Sequence, residues 1–144
     1  MHFFFDTSAL VKLFSYEEGS SVVRESVNNP ENTIWISDLV RVEIHSAILR
    51  KFRNNEINTG ELESILNGID EQLSYFQEIY MAGDIIAEAS LLVQTFGKRY
   101  GLRTLDAIHL ACWQNHTERT CTFVTSDNVQ ADVVKEMDGK VLSV

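Results

Sequence analysis

Residues 1–10 read MHFFFDTSAL. His2 to Phe5 is a short, mainly apolar run, the pattern of a strand buried on both faces. It ends at Asp6, so a carboxylate is carried to the edge of a core. Thr7 or Ser8 then offers a cap for a helix over 8–14. A buried strand that delivers an acid and turns at once into a helix is the opening unit of an α/β fold.

Working outward, the same alternation repeats. Apolar spacing predicts helices over 19–27, 39–53, 60–75, 84–96, 104–116 and 129–137. Strands are expected at 33–36, 76–80, 121–126 and 140–144. Ser37 and Asp38 supply the cap before 39–53, Pro30 marks a turn, and Gly97 is expected to close the helix before it. Leu62, Ile65, Leu66, Ile69 and Leu73 form one stripe and read as core. Strands alternating with helices imply a parallel sheet covered on both faces, with the working site at the carboxyl ends of its strands.

Composition sets the outer bounds. A chain of 144 residues, 44% hydrophobic and 23% charged, is long enough for one core and is expected to be one domain over 1–144. No apolar run approaches the roughly 18 residues that cross a bilayer, and Asp6 interrupts the first one. No membrane association is expected, and the cytoplasm is the expected compartment. Cys112 and Cys121 form no CxxC pair and read as buried apolar residues. The net charge of −9 argues against a general nucleic-acid coat, yet leaves room for an enzyme that meets nucleic acid at one site. Cations gather at Arg50, Lys51 and Arg53, and again at Lys98, Arg99 and Arg103. They read either as solvated helix ends or as phosphate contacts beside an acidic centre.

Four acids stand out. Asp127 follows FVTS and so repeats the situation of Asp6 at a strand's carboxyl end. Asp106 lies in the first turn of a helix that is apolar nearly all round, with His109 and Trp113 on its side. Thr104 is already a suitable cap there, so Asp106 is not needed as one. His109, a lone histidine on a buried helix, reads as core. Glu43, in LVRVEIHSAI, borders a buried face and reads alone as an outward glutamate or a partner of Arg50. Brought to one rim, four carboxylates would repel, and at least one would hold a proton unless a cation relieved them. Hard oxygen ligands suit Mg²⁺, with Mn²⁺ as a substitute. Such a cage is common equipment for cutting phosphodiesters.

DTSALVKLF, VRVEI, LRTLDAIHLA and FVTSD, in that order, resemble the motifs of the PIN domain, most closely the VapC-type toxins of toxin–antitoxin pairs. The resemblance runs from Phe4 to Val141. It maps the family's acidic quartet onto Asp6, Glu43, Asp106 and Asp127, as catalytic residues and metal ligands. Thr7, Ser8 and Ser126 fit supporting polar positions, and Arg103 is placed to touch phosphate. The resemblance implies a three-layer α/β/α sandwich and a Mg²⁺-dependent endoribonuclease acting on RNA. It also implies a homodimer and a cognate antitoxin whose tail fills the site. Two rivals differ in class. An aspartyl phosphatase needs a second acid two residues after the first, where Ser8 stands. A catalytically inactive PIN-like module would bind a protein or RNA partner without cutting.

Overall fold

The computed structural model describes residues 1–116 and 120–144, and for His116 the backbone alone. Five strands form one sheet: β1 (His2–Phe5), β2 (Thr33–Ser37), β3 (Gln77–Ile79), β4 (Thr122–Thr125) and β5 (Val141–Ser143). Their order is β3-β2-β1-β4-β5, and every pairing is parallel. The helices are α1 (Thr7–Leu10, continued by a 3₁₀ turn over Val11–Leu13), α2 (Ser20–Asn28), α3 (Val40–Arg53), α4 (Thr59–Leu73), α5 (Gly83–Tyr100), α6 (Thr104–His116) and α7 (Asn128–Glu136).

β1 is the central strand, and its triple phenylalanine shows why. Successive side chains of a strand face opposite ways. Phe3 and Phe5 enter a core built with α1 to α4, including Val23, Ile44, Ile48, Ile69 and Leu73. Phe4 enters a second core with Ile85 and Leu92 of α5, Leu110 of α6 and Val133 of α7, stacking on Phe123. The three layers are therefore helices, sheet, helices. Leu62, Ile65 and Leu66 of the expected stripe pack half-buried against the first core. Both cysteines are buried, and burial pushes the Cys112 thiol up to about 12. No helix among the described residues is long and apolar enough to cross a membrane.

Four local expectations change. Asp6 itself, not Thr7 or Ser8, caps α1, because its extended backbone lets the carboxylate accept from Ala9 N. The helix over 39–53 has no side-chain cap: Ser37 is buried inside the sheet and Asp38 accepts from Met81 N instead. Thr104 is the first residue inside α6 and not its cap. Finally, Gly97 lies within α5. The helix ends at Gly101, whose φ of +73° is the left-handed geometry that favours glycine.

Candidate active site

The carboxyl ends of β1 and β4 lie side by side, since Asp6 N donates to Val124 O. Asp6 leaves β1 there, 1% exposed. Its carboxylate accepts from Ala9 N and from Ser8 Oγ at 2.9 Å, from Thr125 Oγ1 at 2.6 Å, and from Gln130 Nε2 at 2.8 Å. Burial pushes its pKa above the ordinary aspartate value, and the hydrogen bonds from Thr125, Ala9 and Ser8 do not offset that.

β4 delivers the second acid in the same way. Asp127 caps α7, accepting from Val129 N at 2.7 Å and Gln130 N at 3.1 Å, and its other oxygen meets Arg103 Nη2 at 3.3 Å. Arg103 Nε also reaches Asp106 at 2.9 Å, in the first turn of α6. Asp106 is raised as well, by burial first; Asp127 adds to the shift and Arg103 opposes it. One guanidinium thus lies against two of the acids, although its side chain is 74% exposed.

Glu43 enters from the first turn of α3. It does not pair with Arg50. Thr7 Oγ1 donates to its Oε2 at 2.6 Å, and His109 Nε2 stands 2.6 Å from the same oxygen. His109 Nδ1 lies 3.0 Å from Ser37 Oγ. Burial alone would raise Glu43, but the bonds from His109 and Thr7 outweigh it and hold the carboxyl below its ordinary value.

All four acids line one cleft of about 320 Å³, together with Thr7, Ser8 and Arg103. Ser126 is not among its lining residues. It holds Ser8 from behind, through its amide at 2.9 Å and its hydroxyl at 3.2 Å. Arg50 lines the cleft at the end of α3, while its neighbour Lys51 pairs with Glu17 and Glu56. His109 and Gln130 reach the acids of the cleft and were not expected there. His109, 2% exposed, is buried as its helix implied, but its ring belongs to the acidic cluster. Gln130, also 2% exposed, spans Asp6 and Asp106, partners that lie far from it along the chain and leave no local signal in the sequence.

A family model, the PIN domain, matches residues 3–136. The chain belongs to the PIN domain family. Solved structures with this fold include FitAcB from Neisseria gonorrhoeae, with a TM-score of 0.69 and 13% identity over 98% of this chain and 96% of that one. A toxin–antitoxin complex from Klebsiella pneumoniae gives 0.63 and 23% identity, again over 98% and 96%. VapC20 of Mycobacterium tuberculosis, a sarcin–ricin-loop-cleaving toxin, gives 0.67 and 13% identity over 90% and 93%. No curated protein sequence matches.

The donor chemistry of this PIN domain suits a hard dication. Four carboxylates face the cleft and no cysteine does. As the side chains stand, no group of three or more His, Cys, Asp or Glu among the described residues converges on a single ion. Arg103 and the Gln130 amide nitrogen lie against the carboxylates instead. Gln130 Oε1 is buried and finds no hydrogen-bond partner among the described residues. An orphaned buried carbonyl of this kind costs about 1–3 kcal/mol. It is a spare neutral oxygen at the edge of the acidic cluster, and it fits the same kind of ion.

Proposed function

We propose that the chain is a Mg²⁺-dependent endoribonuclease, with Mn²⁺ as a substitute, and the toxin of a toxin–antitoxin pair. The supporting observation is the convergence of Asp6, Glu43, Asp106 and Asp127, from four distant stretches, on one cleft of a PIN domain. Asp6 and Asp106 are the direct ligands in this reading; Glu43 and Asp127 act directly or through water. A dication bound there supplies charge neutralisation for the phosphate and acidity for the attacking water. The residues do the rest. Thr7 and His109 fix one oxygen of Glu43, so that the carboxylate stays ionised and holds a water in place. Ser8 and Thr125 fix Asp6. Arg103 and Arg50, on the lining of the cleft, meet the RNA phosphates.

The whole chain works as one PIN domain in this proposal, as a homodimer in the cytoplasm. Its antitoxin carries a basic segment that enters the cleft, and the net charge of −9 suits such a partner. The structures of similar fold include toxin–antitoxin complexes, which supports a partner of this kind.

The test is RNA cleavage by the purified protein with Mg²⁺ or EDTA, beside Asp6→Asn. Cleavage that needs Mg²⁺ and disappears in the variant is the expected result. Cleavage unchanged by Asp6→Asn overturns the assignment. A protein that cuts nothing and whose melting temperature ignores Mg²⁺ and Mn²⁺ is a binding module instead.

A further inference from the structure

We propose that Gln130 is a fifth oxygen donor of the cleft, an amide that turns between two positions as a cation comes and goes. The inference rests on the cation-dependent reading above and adds a residue outside the acidic quartet.

Three observations carry it. Gln130 sits in the first turn of α7 at 2% exposure, so its amide has little freedom to escape to solvent. Its Nε2 lies 2.8 Å from Asp6 Oδ2 and 3.5 Å from Asp106 Oδ1, joining acids that come from β1 and α6. Its Oε1, equally buried, has no partner among the described residues. A purely structural bridge between two carboxylates needs only the nitrogen. It leaves the buried carbonyl unexplained, and such an atom in a folded protein calls for a reason.

The chemistry of a primary amide provides one. The terminal torsion of glutamine is broad and roughly two-fold, so a half-turn exchanges nitrogen and oxygen with little change of shape. With nitrogen inward, the amide donates to Asp6 and Asp106 and eases their mutual repulsion. With oxygen inward, it would face two carboxylates and be repelled, unless a hard cation stood among them. Amide carbonyls are accepted ligands of such cations. The same atoms therefore serve both conditions, and the ion selects between them. A glutamine also suits this place better than a glutamate. Two carboxylates already stand within 2.8 and 3.5 Å of its amide nitrogen, so another negative charge there would be costly without the ion.

The experiment is Mn²⁺ binding by titration calorimetry, after EDTA treatment and dialysis, to the wild type, Gln130→Leu and Gln130→Glu. Melting temperatures in EDTA are measured alongside. Gln130→Leu keeps the bulk and loses both polar atoms; its Mn²⁺ affinity is expected to fall about 10- to 100-fold. Gln130→Glu keeps an oxygen. It is expected to melt lower in EDTA and to bind Mn²⁺ at least as tightly as the wild type. Equal affinity of wild type and Gln130→Leu overturns the proposal and leaves the nuclease reading intact. Should Gln130→Leu fail to fold, weaker binding by Gln130→Glu overturns it in the same way. A wild type that binds no Mn²⁺ removes both readings together.

Discussion

Asp6 and Glu43 face the same cleft, yet their carboxyls shift in opposite directions. Asp6 receives the richer set of hydrogen bonds, from Ala9, Ser8, Thr125 and Gln130, and is nevertheless raised. Glu43 receives, among the described residues, Thr7 and His109 at one oxygen and is lowered. The difference is depth. Asp6 is 1% exposed and pays the full desolvation of a buried charge, whereas the Glu43 side chain keeps 20% of its surface in water. One side of the cleft is thus an acidic cluster under electrostatic pressure. The other is a single carboxylate already held ready. On the proposed function, a cation would relieve the first and gain an oriented neighbour from the second.

The widest separation between the two sides is expected in catalysis. Asp106→Asn removes one of the crowded carboxylates and, on the proposed function, should drop Mg²⁺-dependent RNA cleavage to background while the fold survives. Glu43→Gln keeps a hydrogen-bond acceptor for Thr7 and His109 and should leave residual cleavage, down about 10²-fold or more. Rates measured under identical Mg²⁺ would erase the distinction if Asp106→Asn were the milder variant.

Next in size is the support behind Glu43. His109→Ala takes a partner from Glu43 and from buried Ser37. On the proposed function His109 stands one step behind a metal ligand; such partners commonly account for about 10- to 100-fold in activity, and a loss of that order is expected. Leaving Ser37 and Glu43 without that partner should also cost about 1–3 kcal/mol in urea unfolding. A His109→Ala protein with wild-type cleavage would make the histidine a filler of space.

These residues also show what a linear reading can and cannot see. β1 was legible because three phenylalanines in a row fit only a strand buried on both faces, and Asp6 and Asp127 followed from their place at strand ends. The three-layer order came from the same alternation. His109 and Gln130 were not legible as site residues. Each is a single polar residue on a buried helical face, and what gives it meaning lies far along the chain: Glu43 and Ser37 for one, Asp6 for the other. Ser37 looked like a cap because hydroxyls before helices are caps, but β2 runs through it and buries it. Gly97 and Gly101 are both plausible helix ends; only the backbone turn, left-handed at Gly101, separates them.

The pH dependence of stability, read in EDTA, sharpens the contrast at smaller scale. Asp6 has a raised folded value. Its favourable contribution is complete below the ordinary carboxylate range, near pH 3.9, and is lost as pH rises through the folded value. Glu43 has a lowered one, so its contribution is present above about pH 4.3 and is lost as pH falls through the folded value. The melting temperature of Asp6→Asn relative to wild type should therefore climb as pH rises from 4 toward 7. The advantage of wild type over Glu43→Gln should shrink below about pH 4. Parallel curves for both variants would show that the two acids do not differ as described.

Arg103 offers the finest test, because it bears on the crowded side alone. Its guanidinium reaches Asp106 and Asp127 but not Glu43. It is a standing competitor for any cation that those acids would take, and a weak one, since an ion pair with so exposed an arginine is heavily screened. Arg103→Gln should tighten Mn²⁺ binding by about two- to fivefold at low salt. The gain should fade as salt screens the wild-type pair. RNA cleavage should move the other way, because the variant also loses the cation that the proposed function sets against the RNA phosphates. Opposite signs for ion affinity and cleavage distinguish an arginine with two alternative partners from one that merely braces the fold. Brace removal would lower both.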